Sequence, residues 1–587
     1  MGWVPDLPPS MARWRGFRDG GGFIPKSVAG HGLFLTTDDG FIRVDEDRMV
    51  GGAAALAGWG ARAVTMLVQY SDGSAGGSLA QRTAVIAGDE GGIDSIVVNL
   101  NPANDQWRLV APDAAIIAAV VIPEGDREAL YDSAVFPFGC PARTDSAAAA
   151  ANISGPVLVF CNADENEPVN PVYVTPNDVG VLEYDELQPD PAITPAPDFM
   201  ATSVESFNGR MHFLGTMEGA TSHPQRHRWS AVGTAYPNEA IVGSGWLDLA
   251  EFQRRGLRIE SMQDKLVLYY EDGVAFQIPT GFYADAYRPQ IVSRSRGLMG
   301  THSMCAISPH LHFGIFNDGW WTLDSSGRWS KLGRIILQES EGKSHELAKW
   351  EDTFYADLDY DNKHRIVCAY DKFRQLVRIA YTASSGGDNT KILNYHWPTD
   401  SCWPDTYTKA VSMWGLYDVQ SSPGTTWAGM GLILTWSAVL GSWGSFAPQF
   451  VDETIVHGSI EGLVYARDYD VITYDGAAPA YSYRTHEVNF NENPLLEQTF
   501  HRLGVEYMNT AGSAMTAIAL VDNLGEFQSQ SLPLTDGVAG TMQNAYGHFR
   551  LKGSNHGFWL VGAGPVLIRS IVPELMLYTS DDREGQV

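Results

Sequence analysis

A short hairpin pattern recurs along this 587-residue chain: alternating apolar residues, a turn, and a second alternating stretch. The turn is acidic or contains Asn-Gly or Asp-Gly, the strongest short-range hairpin signal because its central residues adopt positive φ. The pattern therefore predicts an all-β chain assembled from antiparallel hairpins. Its copies run over Leu33–Val44, Val204–Leu214, Leu266–Ile278, Leu311–Leu323 and Ile455–Tyr465.

The spacing of these hairpins is close to regular. The turn glycines Gly209, Gly273 and Gly319 are 64 and 46 residues apart, and the hairpin-like stretch Ile366–Ile379 follows about one period later. Gly462 then fits two further periods. A repeat of about 40–50 residues with four strands is typical of a β-propeller. We expect about six or seven blades.

Strand-like segments outside this period suggest additional units. Residues 1–50 are expected to form an N-terminal arm and the first propeller strands, with the early hairpin pairing with the last blade. Residues 51–150 are expected to be an inserted small β domain, since their strand spacing does not match the blades. The propeller then occupies 151–475, with an external loop in the stretch 403–443. Residues 476–587 have longer strands and predict a β-sandwich-like domain.

Charge and cysteine content narrow the functional classes. The chain has 40 basic and 69 acidic residues, a net charge of −29, which argues against a nucleic-acid-binding groove. No CxxC pair occurs, so neither a zinc site nor a disulfide framework is indicated, and the five cysteines are interpreted as buried residues of a protein made in a reducing cytoplasm. We find no secretory signal, and the longest apolar run, Ala114–Ile122, is too short to span a membrane.

Several polar clusters are candidates for catalytic or metal-binding sites, and each also has a purely structural interpretation. A metal site at His302, His310 and His312 would need a further ligand and a carboxylate in register, so we expect surface or turn histidines. The stretch His223–Arg228 is expected to be a loop with the same structural role.

Clustered carboxylates receive the same structural interpretation. Asp357, Asp359 and Asp361 lack the Gly and the distal Glu of an EF-hand, and Ser325–Trp329 is a single degenerate sialidase-type turn. Asp38-Asp39 and Asp581-Asp582 are expected in a turn and at the chain end. The sequence predicts no catalytic, cofactor-binding or metal-binding residue.

The order of several segments resembles the tail hub or nozzle (tail tubular) β-propeller proteins of short-tailed bacteriophages. The resemblance spans roughly residues 150–580 and does not cover 51–150. The segments that carry it are Val157–Asn162 with Val172-Tyr173, Ser206–Gly215, Arg228–Ala231 with Tyr236–Asn238, Arg258–Tyr270, Gly297–Gly300 and His457–Tyr465.

The resemblance implies a non-enzymatic structural protein of the virion tail, made in the host cytoplasm. It implies a homo-oligomer, commonly a hexameric ring, around the DNA-ejection channel below the portal and adaptor ring proteins, with tail fibre or spike proteins as further partners. Genomic DNA would pass without specific binding, and an acidic wall would avoid the counterion release that makes DNA stick. We expect the 51–150 and 480–587 regions to make assembly contacts. The turn carboxylates first considered for the channel are Asp38, Asp39, Asp272 and Asp318.

Two other functions remain open at this stage. The first is a β-propeller glycan-active enzyme or lectin-like binding protein, which would hydrolyse or bind glycans. The second is a bacterial propeller scaffold with no viral role. A tail protein differs from both because it should assemble as a ring, alone or with partners, and should not hydrolyse glycans.

Overall fold

The structure is a computed structural model that describes nearly all of residues 199–331 and 346–417, and elsewhere chiefly the strands given below. In these residues the chain is β apart from helix α1 (Glu346–Asp357) and one 3-10 turn (Lys363–Arg365). No helix in this part of the chain is long and apolar enough to cross a membrane. Three short strands come first: β1 (Phe23–Pro25), β2 (Ile42–Val44) and β3 (Asp47–Gly52).

The next strands of the described residues form seven sheets with consecutive antiparallel neighbours, which we call blades 1–7. The seven blades confirm the predicted propeller. Blade 1 comprises β4 (Ala63–Ser71), β5 (Gln81–Gly88), β6 (Ser95–Asn101) and β7 (Gln106–Leu109). Blade 2 follows the short strand β8 (Ala111–Pro112) and comprises β9 (Asp132–Phe136), β10 (Val157–Cys161), β11 (Val172–Pro176) and β12 (Leu182–Glu186). Blade 3 comprises β13 (Phe199–Phe207), β14 (Arg210–Glu218), β15 (Thr221–Trp229) and β16 (Gly245–Asp248), and blade 4 comprises β17 (Gly256–Met262), β18 (Lys265–Tyr270), β19 (Val274–Pro279) and β20 (Tyr287–Ser293). Blade 5 comprises β21 (Met304–Ser308), β22 (Leu311–Phe316), β23 (Gly319–Asp324) and β24 (Trp329–Lys331). Blade 6 comprises β25 (Val367–Asp371), β26 (Leu376–Tyr381), β27 (Lys391–His396) and β28 (Ser401–Thr406). Blade 7 comprises β29 (Val411–Tyr417), β30 (Thr454–Ser459) and β31 (Leu463–Arg467) together with β3.

The first strands of the blades lie side by side around one axis. β4 contacts both β9 and β29, β13 contacts β9 and β17, and β25 contacts β21 and β29. Leu257 of β17 and Met304 of β21 pack in one apolar cluster, which joins blades 4 and 5. The ring is therefore continuous.

The ring is closed by its own N-terminal strand. β3 is the outer strand of blade 7, antiparallel to β31 with Arg48 opposite Ala466. The prediction gave this role to the early hairpin Leu33–Val44; the structure gives it to the next strand, since β2 of that hairpin pairs with β1 and with the last strand of the C-terminal region, Val566–Leu577. The short β8 adds a fifth, parallel strand beside β12 in blade 2.

The boundary predicted at residue 150 is corrected by the structure. β9 lies before it and is hydrogen-bonded to β10 after it, with Val157 opposite Phe136. The strands of 63–109 form blade 1, whose first strand packs against those of blades 2 and 7. The described strands of 51–150 thus belong to the ring; the sequence placed them in a separate domain because their spacing does not match the blade period.

The up-and-down order gives the propeller two distinct faces. First strands begin at one face, here called proximal, and end at the other, called distal. Because successive strands are antiparallel, the turns between first and second and between third and fourth strands lie on the distal face. Turns between second and third strands, such as those at Asp272 and Asp318, lie on the proximal face.

Two turn glycines explain why the sequence could predict these hairpins. Asn208 and Gly209 have φ of 50° and 70°, as the tight turn requires. At Gly273 the requirement is space, since a Cβ there would lie 2.2 Å from Cε1 of Phe252.

Helix α1 was not predicted, and it packs between blades 5 and 6. Phe354 is fully buried with its ring 5.6 Å from that of Trp320 and 4.7 Å from that of Tyr381. Glu351 accepts a hydrogen bond from the backbone N–H of Trp320 at 3.0 Å.

The C-terminal region forms two further antiparallel sheets, as predicted for a sandwich. β36 of one sheet contacts β34 and β35 of the other, and alternate residues such as Leu503, Val505, Met515 and Ala517 are buried. β1 and β2 extend one sheet, so both ends of the chain contribute. The strands are β32 (Ala480–Arg484), β33 (Gln498–Asn509), β34 (Ala514–Val521), β35 (Glu526–Leu532), β36 (Gln543–Gly553), β37 (His556–Ala563) and β38 (Val566–Leu577).

Candidate functional site

A cluster of charged side chains lies on the propeller axis, on the first strands of blades 2, 3 and 4. Asp132 begins β9, Ser203 and Glu205 lie on β13, and Arg258 and Glu260 lie on β17. We call these five residues the axial cluster. Alternate positions of a first strand point toward the axis, which brings residues distant in sequence together.

Asp132 is the anchor of the axial cluster. Its carboxylate accepts hydrogen bonds from the Ser203 hydroxyl and from the backbone N–H of Val204, the latter at 3.0 Å. The Ser203 oxygen in turn accepts the backbone N–H of Ile259 at 2.9 Å. One buried carboxylate thereby connects three consecutive blades.

Arg258 bridges two carboxylates of the cluster. Its Nη1 contacts Asp132 Oδ1, and its Nη2 and Nε lie 2.8 and 3.2 Å from Glu260 Oε2. Burial alone would lower the pKa of Arg258, but the charges of Asp132 and Glu260 raise it above its ordinary value. The guanidinium therefore stays charged.

Glu205 differs from the other two carboxyl groups. Burial, and next the charge of Glu260, raise the pKa of Glu205 well above its ordinary value, while Arg258 and a hydrogen bond with Ser261 oppose the shift. The cluster thus combines a carboxyl group that favours its neutral form with a carboxylate held by a guanidinium. Such an arrangement can donate and accept protons, provided that a ligand reaches it.

A small cavity lies near the axis at the proximal face. Its volume of about 20 Å³ is enough for one water molecule, whereas pockets for organic ligands measure roughly 300–1,000 Å³. Asn389 is committed to structural bonds here, accepting from Thr382 and donating to the backbone oxygen of Arg365, both at 2.6 Å. The lining residues are Ala63, Val64, Thr65, Leu130, Arg365, Asp388, Asn389, Val411, Ser412 and Ile460.

The three clustered histidines of the sequence have different surroundings. His310 is exposed in the β21–β22 turn, 3.1 Å from Gln263 Oε1, as expected. His312 is buried, with Nδ1 2.9 Å from the hydroxyl of Tyr269, and burial lowers its pKa to about 4. Burial also lowers the pKa of His302 to about 3. Among the described residues no group of three His, Cys, Asp or Glu side chains is arranged for a metal ion.

The stretch 223–228 is a strand, not the predicted loop. It belongs to β15, because its residues pair with β14 and β16. Arg226 binds Asp248 with two bonds of 2.7 and 2.9 Å, and Arg228 Nη1 lies 2.6 Å from Glu218 Oε1. The cations of this stretch are therefore paired within the blade.

Sequence reasoning missed a buried imidazole pair between blades 3 and 4. His212 Nδ1 lies 3.0 Å from His227 Nε2, and the Tyr287 hydroxyl is 3.1 Å from His212 Nε2. Burial lowers the pKa of both histidines, that of His227 to about 3. The residues lie 15 and 60 positions apart on three strands, so only the pairing of β14 with β15 could have indicated the contact.

The aspartates that the sequence places in turns are hydrogen-bonded at turns or at the ends of elements, wherever the structure describes them. Asp359 accepts from the Asn362 side chain at 2.7 Å and from the backbone N–H of Asp361. Asp357 ends α1 and accepts the Tyr381 hydroxyl at 3.2 Å. Asp581-Asp582 lie outside the described residues.

The sialidase-like turn Ser325–Trp329 also has a structural role. Asp324, just before it, accepts the backbone N–H groups of Ser326 and Arg328 at 2.8 and 2.9 Å. These bonds fix the β23–β24 connection on the distal face.

The turn carboxylates considered for a channel are on the proximal face where they are described. Asp272 accepts the backbone N–H of Gln253 at 2.7 Å. Asp318 binds Arg296 with two contacts of 3.1 and 3.2 Å. Asp38 and Asp39 lie outside the described residues.

Comparisons with known proteins assign this chain to no family. No family model matches the chain, and no curated protein matches it. A solved nidogen/laminin complex aligns at 6% identity and a TM-score of 0.24, covering 43% of this chain and 80% of that one. An exo-β-1,3-galactanase from Phanerochaete chrysosporium, solved with galactose, aligns at 10% identity and a TM-score of 0.22, covering 86% and 95%. What the structure itself establishes is a β-propeller with an attached β-sandwich.

Proposed function

We propose that this protein is a structural, non-enzymatic subunit of a short phage tail, the hub or nozzle. Several copies would surround the DNA channel below the portal and adaptor rings. The observation that carries the proposal is the position of two segments that resemble the tail proteins: both form part of the framework of blade 3. Ser206–Gly215 contains the β13–β14 turn, and Arg228–Ala231 ends β15 and opens the loop to β16.

The polar groups of these segments build the blade. The Ser230 hydroxyl accepts the backbone N–H of Met211 at 2.8 Å, and the Arg228 guanidinium donates to the backbone oxygen of Pro237 at 3.2 Å. Arg210 donates to the backbone oxygen of Ser230 at 2.9 Å. Because these residues are framework, a sequence likeness in them favours a shared architecture over a shared ligand.

The attached sandwich is a second support. It combines strands from both chain ends and stands apart from the blade repeat, and appended β domains are natural sites for contacts between rings. The net charge of −29 fits a wall along which DNA slides without binding.

Two experiments test the proposal. Negative-stain imaging and light scattering of the full-length protein should reveal rings, alone or with the adaptor ring of the same particle. Immunogold labelling of assembled particles should place the chain at the tail end. Labelling confined to the capsid, or no incorporation, would contradict the assignment.

A glycan-active enzyme is the second candidate, and the axial cluster favours it. Glycoside hydrolysis needs an acid and a second carboxyl group on either side of the scissile bond. Glu205 would be the acid and Glu260 its partner. Hydrolysis of a panel of aryl glycosides and polysaccharides that is lost in both Glu205→Gln and Glu260→Gln would favour this candidate over the tail protein.

A further inference from the structure

Exposed hydrophobic side chains are concentrated on one side of the propeller. Among the described residues, five of the seven large exposed hydrophobic side chains lie at the distal side of blades 2–4. Such side chains are ordinary when scattered, whereas a concentration on one face marks a contact surface. We call these five the distal patch: Phe138 (57% exposed), Val232 (56%), Val242 (82%), Trp246 (43%) and Phe282 (73%).

The distal patch is held in place by buried bonds. The Phe138 ring and the Val232 side chain flank Gly209, where a Cβ would lie 3.2 and 3.6 Å from them. Arg210 donates to the backbone oxygens of Ser230 and Gly243, which fixes both ends of the loop that carries the two valines. A surface that is already ordered loses little conformational entropy on binding.

The patch continues from blade 3 to blade 4. The rings of Trp229 and Tyr287, at the distal ends of β15 and β20, are 5.3 Å apart between centroids. Phe282 lies in the loop that leads to Tyr287. The guanidinium of Arg226 lies 3.9 Å from the ring of Trp246 and supports it from one side.

The exposed area suits the core of a protein interface. An aromatic side chain has about 150–250 Å² of surface, so the exposed parts of Phe138, Trp246 and Phe282 amount to about 350 Å², to which the valines add. A standard interface buries about 800 Å² per partner, with an apolar core and a polar rim. The distal patch therefore supplies a core, and the surrounding loops supply a rim.

The charge around the patch favours a second copy of this chain as the partner. Two copies each carry −29, and at physiological salt only charges within about 8 Å of a contact matter. Beside the patch Arg228 lies 3.1 Å from Glu239 and Lys265 3.8 Å from Asp264, and the exposed Arg288 follows Tyr287, so the surroundings of the patch carry no excess of acidic charge among these groups. A neutral apolar surface is complementary to itself, whereas an acidic surface repels its copy.

We propose that the distal patch is a contact surface between copies of this chain. The inference builds on the proposed function only in that a tail ring contains several copies. Its chemistry is apolar, so association should persist in 0.5 M NaCl, where contacts made by ion pairs weaken.

The test measures self-association of the full-length protein by light scattering and sedimentation over a range of concentrations. Val242→Glu and Phe282→Glu should each weaken association about tenfold or more, because each places a carboxylate in an apolar contact. Tyr360→Glu is the matched control: Tyr360 is 55% exposed but lies between α1 and β25, away from the patch. Circular dichroism and thermal melting should show that all three variants fold.

Three outcomes would overturn the inference: a wild-type protein that stays monomeric, association unaffected by both patch variants, or association lost in high salt. An associating protein that is unaffected by both variants would leave the tail assignment standing. Conversely, association through the patch in a chain that is absent from tail ends would retain the surface and refute the tail assignment.

Discussion

Removing the carboxylate of Asp132 tests whether the axial cluster holds the propeller together. Asp132 is 2% exposed and bonds to Ser203, Val204 and Arg258, so Asp132→Ala abolishes contacts to blades 3 and 4 together. Loss of one partner of a buried ion pair costs about 3–5 kcal/mol. Arg258 is 18% exposed and keeps Glu260, which reduces the expected cost to about 2–4 kcal/mol.

The expected change in melting temperature follows from the size of the ring. The propeller spans roughly 420 residues between β3 and β31, and an unfolding entropy of about 2.1 cal/mol/K per residue gives about 0.9 kcal/mol/K. A loss of 3 kcal/mol therefore lowers the melting temperature by about 3 °C. Urea unfolding monitored by tryptophan fluorescence gives the free energy directly.

Matched variants separate charge from hydrogen bonding. Asp132→Asn keeps an oxygen that can accept from Ser203 and Val204 but removes the charge beside Arg258. The double variant Asp132→Asn/Arg258→Met removes both charges and should be more stable than Asp132→Asn alone. A loss below 1 kcal/mol for Asp132→Ala, or additive effects in the double variant, would refute a structural role for the ion pair.

Further predictions follow from other described contacts. The folded-state pKa of His227 and His457 is about 3, below the 6.5 of an unfolded histidine, so the unfolded chain binds protons first and stability falls as pH drops from 6.5 toward 3. At pH 5 the lowered pKa of each histidine reduces the free energy of unfolding by about 2 kcal/mol. His227→Gln should therefore flatten the pH dependence of unfolding measured between pH 7 and 4.5. An unchanged slope would contradict this. Met49→Pro in β3 should expose β31 to hydrogen exchange by opening the ring closure, and equal exchange in both proteins would refute the closure. Gly297→Ala should cost about 1–3 kcal/mol in urea unfolding, because its Cβ would lie 1.7 Å from the backbone oxygen of Glu271. Gly504→Ala, which meets the half-exposed ring of Tyr546 at 3.2 Å, is the milder comparison, and equal losses would contradict the steric argument.

The sequence revealed those parts of the fold that depend on neighbours in the chain. The turn at Asn208-Gly209 needs positive φ at both residues and marks the β13–β14 hairpin without any tertiary information. In blade 1 the pair Asp72-Gly73 begins a nine-residue link between β4 and β5, and the strand spacing differs from that of the other blades, so the sequence predicted a separate domain there. Helix α1 was missed because it is held by Phe354 against rings of blades 5 and 6, a tertiary contact.

The axial cluster was hidden for a related reason. Hydrogen bonds join Asp132 to Ser203 across 71 residues and Ser203 to Ile259 across 56, and nothing in their local sequence indicates a shared axis. The known propeller period gives the number of blades, but it does not give the position at which each first strand begins. That position decides which alternate residues face the axis.

Ion pairs within the chain affect how strongly an acidic tail protein would bind DNA. A phosphate contact needs a cation that is free to release a counterion, and each such contact steepens the salt dependence of binding. In blades 3–5, Arg226, Arg228, Arg258 and Arg296 are each within 3.1 Å of a carboxylate oxygen of the chain. Phosphate would have to displace these carboxylates, two of which bind Arg226 and Arg228 where the guanidinium groups are almost buried. These four guanidinium groups would therefore contribute little to DNA affinity, in addition to the effect of the net charge.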